Sequence, residues 1–344
     1  MTTSHFEHLR REMSGYMQVS ILAVLAELDF GTVLLENNNS LTASELADRC
    51  SCDRRGTEVA LDALAAMGYL RKAGTGGDAR YGVAEEYKIY LDSRHPATFI
   101  PMMRHLACCQ RAWTRLTWSV RDGRPQERVD SILGAEQDRI SFIMGMNAIA
   151  IKLAPEVVQS LRTAGILPLA RHNPRILDIG GASGTYTEAF LTELPGSTAT
   201  IFDLPVGIGQ AKKRFAGSDM AARVTLVEGD FTKVPLPTGF DFAWISAIIH
   251  QMDRRESRML YAKALDALEP GGMVAVRDFV MSEDRLLPMD GALFGINMFV
   301  NTQRGMVYTY GEIREDLELA GFVEVTHAVD VPSMAAVVTA KKPK

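Results

Sequence analysis

The sequence predicts an α/β fold, in which a doubly wound, mostly parallel sheet follows a mainly helical N-terminal part. From Arg175 onward, short apolar runs alternate with amphipathic windows of helical period, which is typical of repeated strand–helix units. These apolar runs contain few polar interruptions, as expected of strands that are buried on both faces. Residues 5–165 instead repeat apolar residues at helical spacing. With 344 residues, the chain is long enough for more than one domain.

The N-terminal part follows a helix–helix–hairpin order. Apolar residues at helical spacing predict one helix over 17–30. A second helix is predicted to begin at Thr42, which forms a capping box with Glu45, and a third to begin at Asp53. A glycine-rich turn between two short extended stretches then predicts a hairpin within 71–86. This order is a winged-helix pattern.

Charge argues against a nucleic acid as the main partner. Winged-helix domains often bind DNA, and the helix over 54–69 would then be the recognition helix. However, the formal net charge is −5, and this helix carries Glu58 and Asp62 beside its arginines. Nucleic-acid binders usually present a basic face. We therefore interpret the N-terminal part as a structural or dimer-forming domain.

No targeting or metal-binding segment is evident. The N-terminus lacks the apolar region of a signal peptide, and no stretch approaches the roughly 20 apolar residues of a membrane span. The cysteines do not have the C-x-x-C spacing of a zinc site. We expect a cytoplasmic protein with no bound metal and no membrane partner. Its free thiols would be Cys50, Cys52, Cys108 and Cys109.

Three segments differ in their patterns. Residues 1–100 contain the winged-helix pattern. Residues 101–170 hold further helical runs, punctuated by proline and glycine, and read as a helical linker. Residues 171–344 contain the alternating strands and helices. The sequence thus predicts two domains joined by a helical region.

The stretch between the first strand and helix of the C-terminal domain is rich in glycine. It contains Gly180, Gly181 and Gly184, so that the backbone can turn tightly and approach a ligand. It reads G-G-x-S-G, whereas a phosphate-binding loop reads G-x-G-x-x-G. Asp178, two residues earlier, is well placed for an ammonium group and badly placed for a pyrophosphate. This pattern favours a ligand with a cationic amino-acid end, such as S-adenosylmethionine.

Acidic residues also close the next two strands. Asp203 follows Gly184 by 19 residues, where a carboxylate can accept both hydroxyls of a ribose. Asp230 can accept from an adenine amino group, and Phe231 can pack on the ring. Each also has a plainer interpretation, since Asp203 can cap the next helix and Asp230 can be a turn residue. Carboxylates at three successive strand ends favour the ligand site.

The stretches LDIGGASGTYTEAFL, ATIFDLP, VTLVEGDF and ALEPGGMVAVRDFVM resemble the class I S-adenosylmethionine-dependent methyltransferases of the caffeate and acetylserotonin O-methyltransferase type. The resemblance covers nearly the whole chain. It implies a Rossmann-like catalytic domain at 171–344, a winged-helix dimerisation domain at 1–100 and a linker at 101–170 that contributes to the substrate pocket. It also implies a homodimer that acts on a small molecule with S-adenosyl-L-methionine as cofactor.

The resemblance also implies roles for individual residues. The expected cofactor-binding residues are Asp178, Gly180, Gly181, Gly184, Asp203, Leu204, Asp230, Phe231 and Ser246.

Two further residues are expected to be catalytic. His250, at the end of the fourth strand, is expected to act as general base, for which the unperturbed pKa of histidine, about 6.5, is suitable. Asp278, at the end of the next strand, is expected to orient it. The family commonly reads His-Asp-Trp after this strand, whereas this chain has Gln251 and Met252 after the histidine.

The substrate wall is expected from the linker and from a segment after the fifth strand. Apolar and methionine side chains would shape the pocket, asparagines would bond the acceptor, and arginines, including Arg104 and Arg115, would bind a carboxylate. Core packing or a solvated surface is the plainer alternative for each. The candidate residues are Met144, Phe294, Asn297, Met298, Asn301 and Arg111.

Three functions are compared on the sequence, and C-methylation and N-methylation of a small molecule stay open beside them. The first is O-methylation of a small hydroxylated metabolite, with His250 as the base. The second is S-methylation of a small thioether acid, such as 4-methylthio-2-hydroxybutyrate, which needs no deprotonation and would tolerate the missing acid beside His250. The third is a winged-helix regulator that senses S-adenosylmethionine.

Overall fold

The computed structural model describes residues 4–167 and 173–344, and the chain forms two compact units. Unit 1 comprises Met1–Thr114 and Arg128–Ala148. Unit 2 comprises Arg115–Glu127 and Ile149–Lys344. The boundaries of the three segments drawn from the sequence stay predictions.

Unit 1 is mainly helical, with one small antiparallel sheet in the strand order β1-β3-β2. Its strands are β1 (Leu41–Thr42), β2 (Leu70–Ala73) and β3 (Arg80–Val83). Its helices are α1 (His5–Ser14), α2 (Tyr16–Glu27), α3 (Phe30–Glu36), α4 (Ala43–Cys50), α5 (Arg54–Ala66), α6 (Lys88–Leu91) and α7 (Ile100–Trp113).

The predicted caps and hairpin of unit 1 are confirmed. The Thr42 hydroxyl accepts from the Glu45 backbone N–H, and the Glu45 carboxylate accepts from the Thr42 N–H, so the capping box is complete. Asp53 caps α5 by accepting from Gly56 N–H. Strands β2 and β3 pair as an antiparallel hairpin. Helices α4 and α5 followed by this hairpin give the predicted winged-helix order.

The prediction of one helix over 17–30 is wrong at its end. The chain leaves α2 after Glu27, and Asp29 takes a left-handed conformation with φ of 53° before α3 begins. The Asp29 carboxylate accepts hydrogen bonds from the hydroxyls of Thr32 and Ser93. These bonds hold the chain in a conformation that an L-residue seldom adopts.

Unit 2 contains a seven-stranded sheet in the order β11-β12-β8-β7-β4-β5-β6. Five neighbouring strands are parallel, and the hairpin of β11 and β12 adds antiparallel strands beside β8. The strands are β4 (Arg175–Ile179), β5 (Thr198–Asp203), β6 (Val224–Glu228), β7 (Phe240–Ser246), β8 (Leu268–Arg277), β11 (Val323–Val329) and β12 (Val337–Lys341). A short parallel pair, β9 (Val280–Met281) and β10 (Tyr308–Thr309), lies apart from this sheet.

Helices connect these strands, and both faces of the sheet are buried. One face packs in the cluster that includes Leu177 and Ile245, and the other in the cluster that includes Phe242 and Trp244. The strand order reverses between β4 and β7, which is the point where ligands bind in doubly wound folds. The helices are α8 (Leu116–Asp122), α10 (Thr185–Glu193), α11 (Pro205–Phe215), α12 (Arg254–Ala267), α13 (Met289–Asn301) and α14 (Tyr310–Leu319).

Helix α9 (Ala135–Thr163) runs from unit 1 into unit 2. Among the described residues, α9 is long and apolar enough to cross a membrane by length and composition, and the bent N-terminal segment His5–Glu27 with Phe30–Glu36 passes the same test. The expectation that no stretch approaches that length is therefore wrong. The C-terminal half of α9 nevertheless buries Val157 and Leu161 in a core cluster of the sheet, which accounts for part of its apolar character.

Candidate active site

The predicted site residues of unit 2 gather at the carboxyl edge of the sheet. In the parallel register, Ile179 pairs with Ile245, and Ser246 pairs with Arg277. The ends of β4, β7 and β8 therefore lie side by side, and β5 adjoins β4 on its other edge. The glycine loop, Asp203, His250 and Asp278 each follow or end one of these four strands.

The loop between β4 and α10 has no room for a side chain at its glycine positions. Gly180 has φ of 70°, and a Cβ there would lie 2.5 Å from Ile248 Cδ1. Gly184 has φ of 78°, and a Cβ there would lie 2.6 Å from Phe215 Cε2. Both positions combine a left-handed conformation with a steric clash, so only glycine fits. The loop therefore exposes backbone at the strand ends, where a ligand can approach it closely.

Asp178 lies beneath this loop. Its carboxylate accepts a hydrogen bond from the Thr187 hydroxyl at 2.7 Å, and a Cβ on Gly181 would lie 2.6 Å from its carboxyl carbon. Burial raises the pKa of Asp178 to about 7, and the neighbouring charge of Asp203 acts in the same direction. A cation near this carboxyl would favour its charged form.

Asp203 closes β5 with both carboxylate oxygens bonded to backbone. Oδ2 accepts from Ala182 N–H at 2.7 Å, and Oδ1 accepts from Leu204 N–H at 2.6 Å. Burial raises its pKa, although the side chain is partly exposed. Each oxygen retains a lone pair, so this carboxylate is fixed in position and can accept from two further hydroxyls.

Asp230 forms a local turn. One oxygen accepts from the Thr232 N–H at 2.9 Å and hydroxyl at 2.6 Å, and the other pairs with Lys233 at 2.9 Å. These bonds, the Thr232 hydroxyl first, lower its pKa to about 2. This geometry fits the plainer interpretation of a turn residue, and a role towards adenine stays a prediction. The adjacent Phe231 ring does reach the loop, with Cε1 4.0 Å from the position of a Cβ on Gly180.

His250 and Asp278 form a buried pair. The Nδ1 atom of His250 lies 2.9 Å from both oxygens of Asp278. Because a carboxylate only accepts, Nδ1 carries the proton, and Nε2 is left as the acceptor. Asp278 is 1% exposed and also accepts from Phe279 N–H at 2.8 Å. The aspartate is thus held by two donors and fixes both the tautomer and the orientation of the imidazole.

The residue after the histidine does not take part in this pair. Gln251 is exposed, and its side-chain amide donates to the Ala247 carbonyl at 3.2 Å. An acid at this position is absent from the sequence, yet Asp278 supplies the carboxylate that His250 needs. The departure from the His-Asp-Trp pattern therefore does not deprive His250 of a carboxylate partner.

Helix α13 brings the predicted substrate residues of unit 2 to different environments. The Phe294 ring meets the His250 ring edge to face, with centroids 4.8 Å apart. Met298 is buried. Asn301 is exposed and donates to the carbonyl and side-chain oxygens of Asn297. Phe294 therefore contacts the His250–Asp278 pair.

The two remaining substrate candidates, Met144 and Arg111, belong to unit 1. Arg111 forms an ion pair with Glu27, and both residues line a cavity of about 300 Å³ within that unit. Arg104 donates to the Ala26 carbonyl. In unit 2, Arg115 donates to the Glu127 carbonyl. All three arginines predicted to bind a carboxylate thus already have partners, and a substrate would have to compete for them.

Sequence reasoning missed several residues at the same edge. Ile248 packs against Gly180. Tyr186, in the first turn of α10, lies beneath the guanidinium of Arg277. Arg277 precedes the predicted acid, and a charged residue inside an apolar strand was the available signal. No signal in the sequence pointed to Thr187, because its hydrogen bond to Asp178 depends on how α10 packs over β4.

Comparison with known proteins identifies the class. A model of the O-methyltransferase domain matches residues 113–323, and a model of the O-methyltransferase dimerisation domain matches residues 11–93. The chain therefore belongs to the S-adenosylmethionine-dependent O-methyltransferases that carry this dimerisation domain.

Individual relatives agree with this class. The chain is 30% identical over 290 residues to a 3-hydroxy-5-methyl-1-naphthoate 3-O-methyltransferase of Streptomyces sahachiroi, covering 82% of this chain and 80% of the relative. It is 30% identical over 323 residues to the acetylserotonin O-methyltransferase of Gallus gallus, covering 91% and 90%. The solved human N-acetylserotonin methyltransferase has the same fold, with a TM-score of 0.82, 23% identity and 100% and 99% coverage.

S-adenosyl-L-methionine is the cofactor of this class, and the site fits it. The glycine loop turns tightly at the strand ends and is partly exposed there, and the anchored Asp203 carboxylate offers acceptor positions beside that loop. The described residues contain no cluster of potential metal ligands. The relatives are O-methyltransferases, so S-methylation and a purely regulatory role are not favoured.

Proposed function

We propose that this enzyme methylates a hydroxyl group on a small aromatic acceptor and that His250 is the general base. The observation that carries the proposal is the buried His250–Asp278 pair, in which both carboxylate oxygens lie 2.9 Å from Nδ1. This arrangement leaves Nε2 as a proton acceptor at the carboxyl edge of the sheet. A base at this point is what a hydroxyl nucleophile requires and what a thioether does not.

The same edge provides the cofactor site. Asp203 would accept the ribose hydroxyls, with Leu204 holding it through the backbone. Gly180, Gly181 and Gly184 would lie against the cofactor, and Asp178 would face its ammonium end. The adenine contacts of Asp230 and Phe231 and the contact of Ser246 complete the proposed set. When bound, S-adenosyl-L-methionine supplies an electrophilic methyl group on a sulfonium sulfur.

The catalytic residues act on the acceptor. His250 Nε2 takes the hydroxyl proton while the acceptor oxygen forms its bond to the methyl carbon and the carbon–sulfur bond breaks. Asp278 stabilises the imidazolium that forms and keeps Nε2 directed to the acceptor. The pair is almost fully buried, which excludes water and strengthens the interaction between the two charges.

The proposed acceptor class rests on two supports. Two relatives are named for methylating a hydroxynaphthoate and acetylserotonin, both of which carry aromatic rings. Beside His250, the Phe294 ring lies 5.2 Å from the ring of Phe279. Such a pair of rings offers stacking and edge contacts to an aromatic acceptor. The remaining α13 residues, Asn297, Met298 and Asn301, together with Met144 and Arg111, stay predicted pocket residues.

The test is an acceptor screen with methyl-labelled cofactor. Phenols and naphthols are expected to give labelled methyl ethers. Matched aryl methyl thioethers, which would give labelled sulfonium products, are the control series. Label found in sulfonium products alone would contradict the proposal.

We also propose that the enzyme is a homodimer formed through its dimerisation domain. Helices α1 and α2 expose large apolar side chains, including Phe6 at 72% and Met13 at 76%. Contiguous apolar surface of this kind favours association with another chain. The match to a dimerisation domain supports a second copy of the chain as the partner that covers this surface.

A further inference from the structure

Arg277 is buried at the carboxyl end of β8, with 5% of its surface exposed. Its Nη1 donates to Ser246 Oγ at 3.0 Å, and its guanidinium carbon lies 5.2 Å from the centre of the Tyr186 ring. Its Nε is buried and has no acceptor within the part of the chain that the structure describes. In that same part, Arg277 has no ion pair with a carboxylate.

A buried guanidinium without a counter-ion is strongly unfavourable. Other arginines of unit 2 avoid this state. Arg254 and Arg258, for example, each lie 2.8 Å from the Asp316 carboxylate. Among the described residues, the fold therefore supplies neither a counter-ion for the positive charge of Arg277 nor an acceptor for its Nε. Both requirements are met by an anionic ligand.

The position of Arg277 indicates which anion this is. Asp178 pairs in register with Trp244, which pairs with Ala275, two residues before Arg277. Since side chains alternate along strands, Asp178 and Arg277 project from the same face of the sheet. Two strand spacings and an offset of two residues along the strand put their Cα atoms about 12 Å apart. Gly181 and Ser246, at the same edge of the sheet, are partly exposed.

Opposite charges at this spacing suit a zwitterion. Tyr186 lies between them, and although burial raises the pKa of its hydroxyl, Arg277 lowers it and Asp178 raises it. The charges of Arg277 and Asp178 therefore both act on the Tyr186 hydroxyl. An amino-acid end carries one ammonium and one carboxylate on a single carbon, which requires an anionic and a cationic side chain on the same side of the ligand.

We infer that Arg277 binds the α-carboxylate at the methionine end of S-adenosyl-L-methionine. Ser246 and the Tyr186 ring hold the guanidinium in place, and the carboxylate receives the hydrogen bond that Nε lacks. This role deepens the proposed function, because it rests on the cofactor placement described above with Asp178 at the ammonium. It assigns Arg277 to cofactor recognition and leaves proton transfer to His250.

The test compares two ligands that differ by the carboxylate alone. Calorimetry measures the Kd of S-adenosylhomocysteine and of its decarboxylated analogue, S-adenosyl-3-thiopropylamine. The wild type is expected to prefer the former by about 10- to 100-fold, the usual range for a charge-assisted contact. Arg277→Met should abolish this preference. The Kd of the decarboxylated analogue should stay within about threefold of its wild-type value, since the variant loses only packing contacts towards this ligand.

Controls make the outcome specific. Arg277→Lys should keep part of the preference, and Arg277→Gln replaces Arg277→Met if that variant does not fold. Arg175→Met removes an ion pair with Asp241 at the amino end of β4 and should keep the whole preference. A preference that survives in the neutral variants, or an equal loss of affinity for both ligands, overturns the inference. Because this experiment measures binding, its result does not depend on whether His250 is the general base.

Discussion

Asp178→Asn tests the electrostatics of the site through the free energy of unfolding. Burial raises the pKa of Asp178 to about 7 from an ordinary value of 3.8. Below the unfolded-state pKa, this carboxyl keeps its proton in both the native and the unfolded state, so it does not reduce the free energy of unfolding. As pH rises towards 7, the unfolded chain has lost this proton while the native protein keeps it, and stability falls.

The magnitude follows from the size of the shift. One pH unit between the two pKa values costs about 1.4 kcal/mol. From pH 5 to pH 7 the ligand-free wild type should therefore lose about 2 to 3 kcal/mol relative to Asp178→Asn. Asparagine has the same shape, can accept from Thr187, and does not titrate.

The assay is urea unfolding of both ligand-free proteins at pH 5, 6, 7 and 8. The stability difference should move in favour of Asp178→Asn as pH rises and become constant above pH 7. Asp219→Asn is a matched control at an exposed carboxyl of the same unit, and it should run parallel to the wild type. A difference between wild type and Asp178→Asn that stays constant from pH 5 to pH 8 would refute the reasoning.

Other substitutions test single parts of the account. Asp203→Ala should weaken S-adenosylhomocysteine binding by about 1–3 kcal/mol, because it removes the carboxylate proposed to accept the ribose hydroxyls; calorimetry checks this, and an unchanged Kd removes Asp203 from the site. Gly184→Ala places a Cβ 2.6 Å from Phe215 at φ of 78°, so both thermal stability and cofactor affinity should fall. Light scattering at micromolar concentration should give twice the chain mass of 37.8 kDa, and a monomer would contradict the proposed dimer.

Local features of the fold were predictable from the sequence. The capping box of Thr42 and Glu45 lies within four residues, so the sequence contains both partners. The strand–helix alternation of unit 2 and its glycine loop were likewise visible as patterns. Their sequence order was sufficient to place Asp203, His250 and Asp278 at the ends of three strands of one sheet.

Features that depend on distant partners were not predictable. The helix break at Asp29 is held by Ser93, which is 64 residues away in sequence. The partner of Arg111 is Glu27, 84 residues away, so a substrate contact and an ion pair within unit 1 could not be distinguished. The sequence shows Arg277 as a charged residue in an apolar strand, but its contact with Ser246 and its lack of a counter-ion among the described residues depend on the fold. In each case burial and contact decide the role, and neither is contained in local spacing.

The central claim is that His250 removes the acceptor proton, and the rate of the chemical step tests it most directly. Single-turnover methyl transfer should be measured for the wild type and His250→Ala, once a hydroxyl acceptor is known, together with the Kd of S-adenosylhomocysteine. The rate in His250→Ala should be about 10²- to 10⁴-fold lower than in the wild type, the usual contribution of a positioned base, with cofactor affinity nearly unchanged. A wild-type rate of methyl transfer in His250→Ala would contradict it.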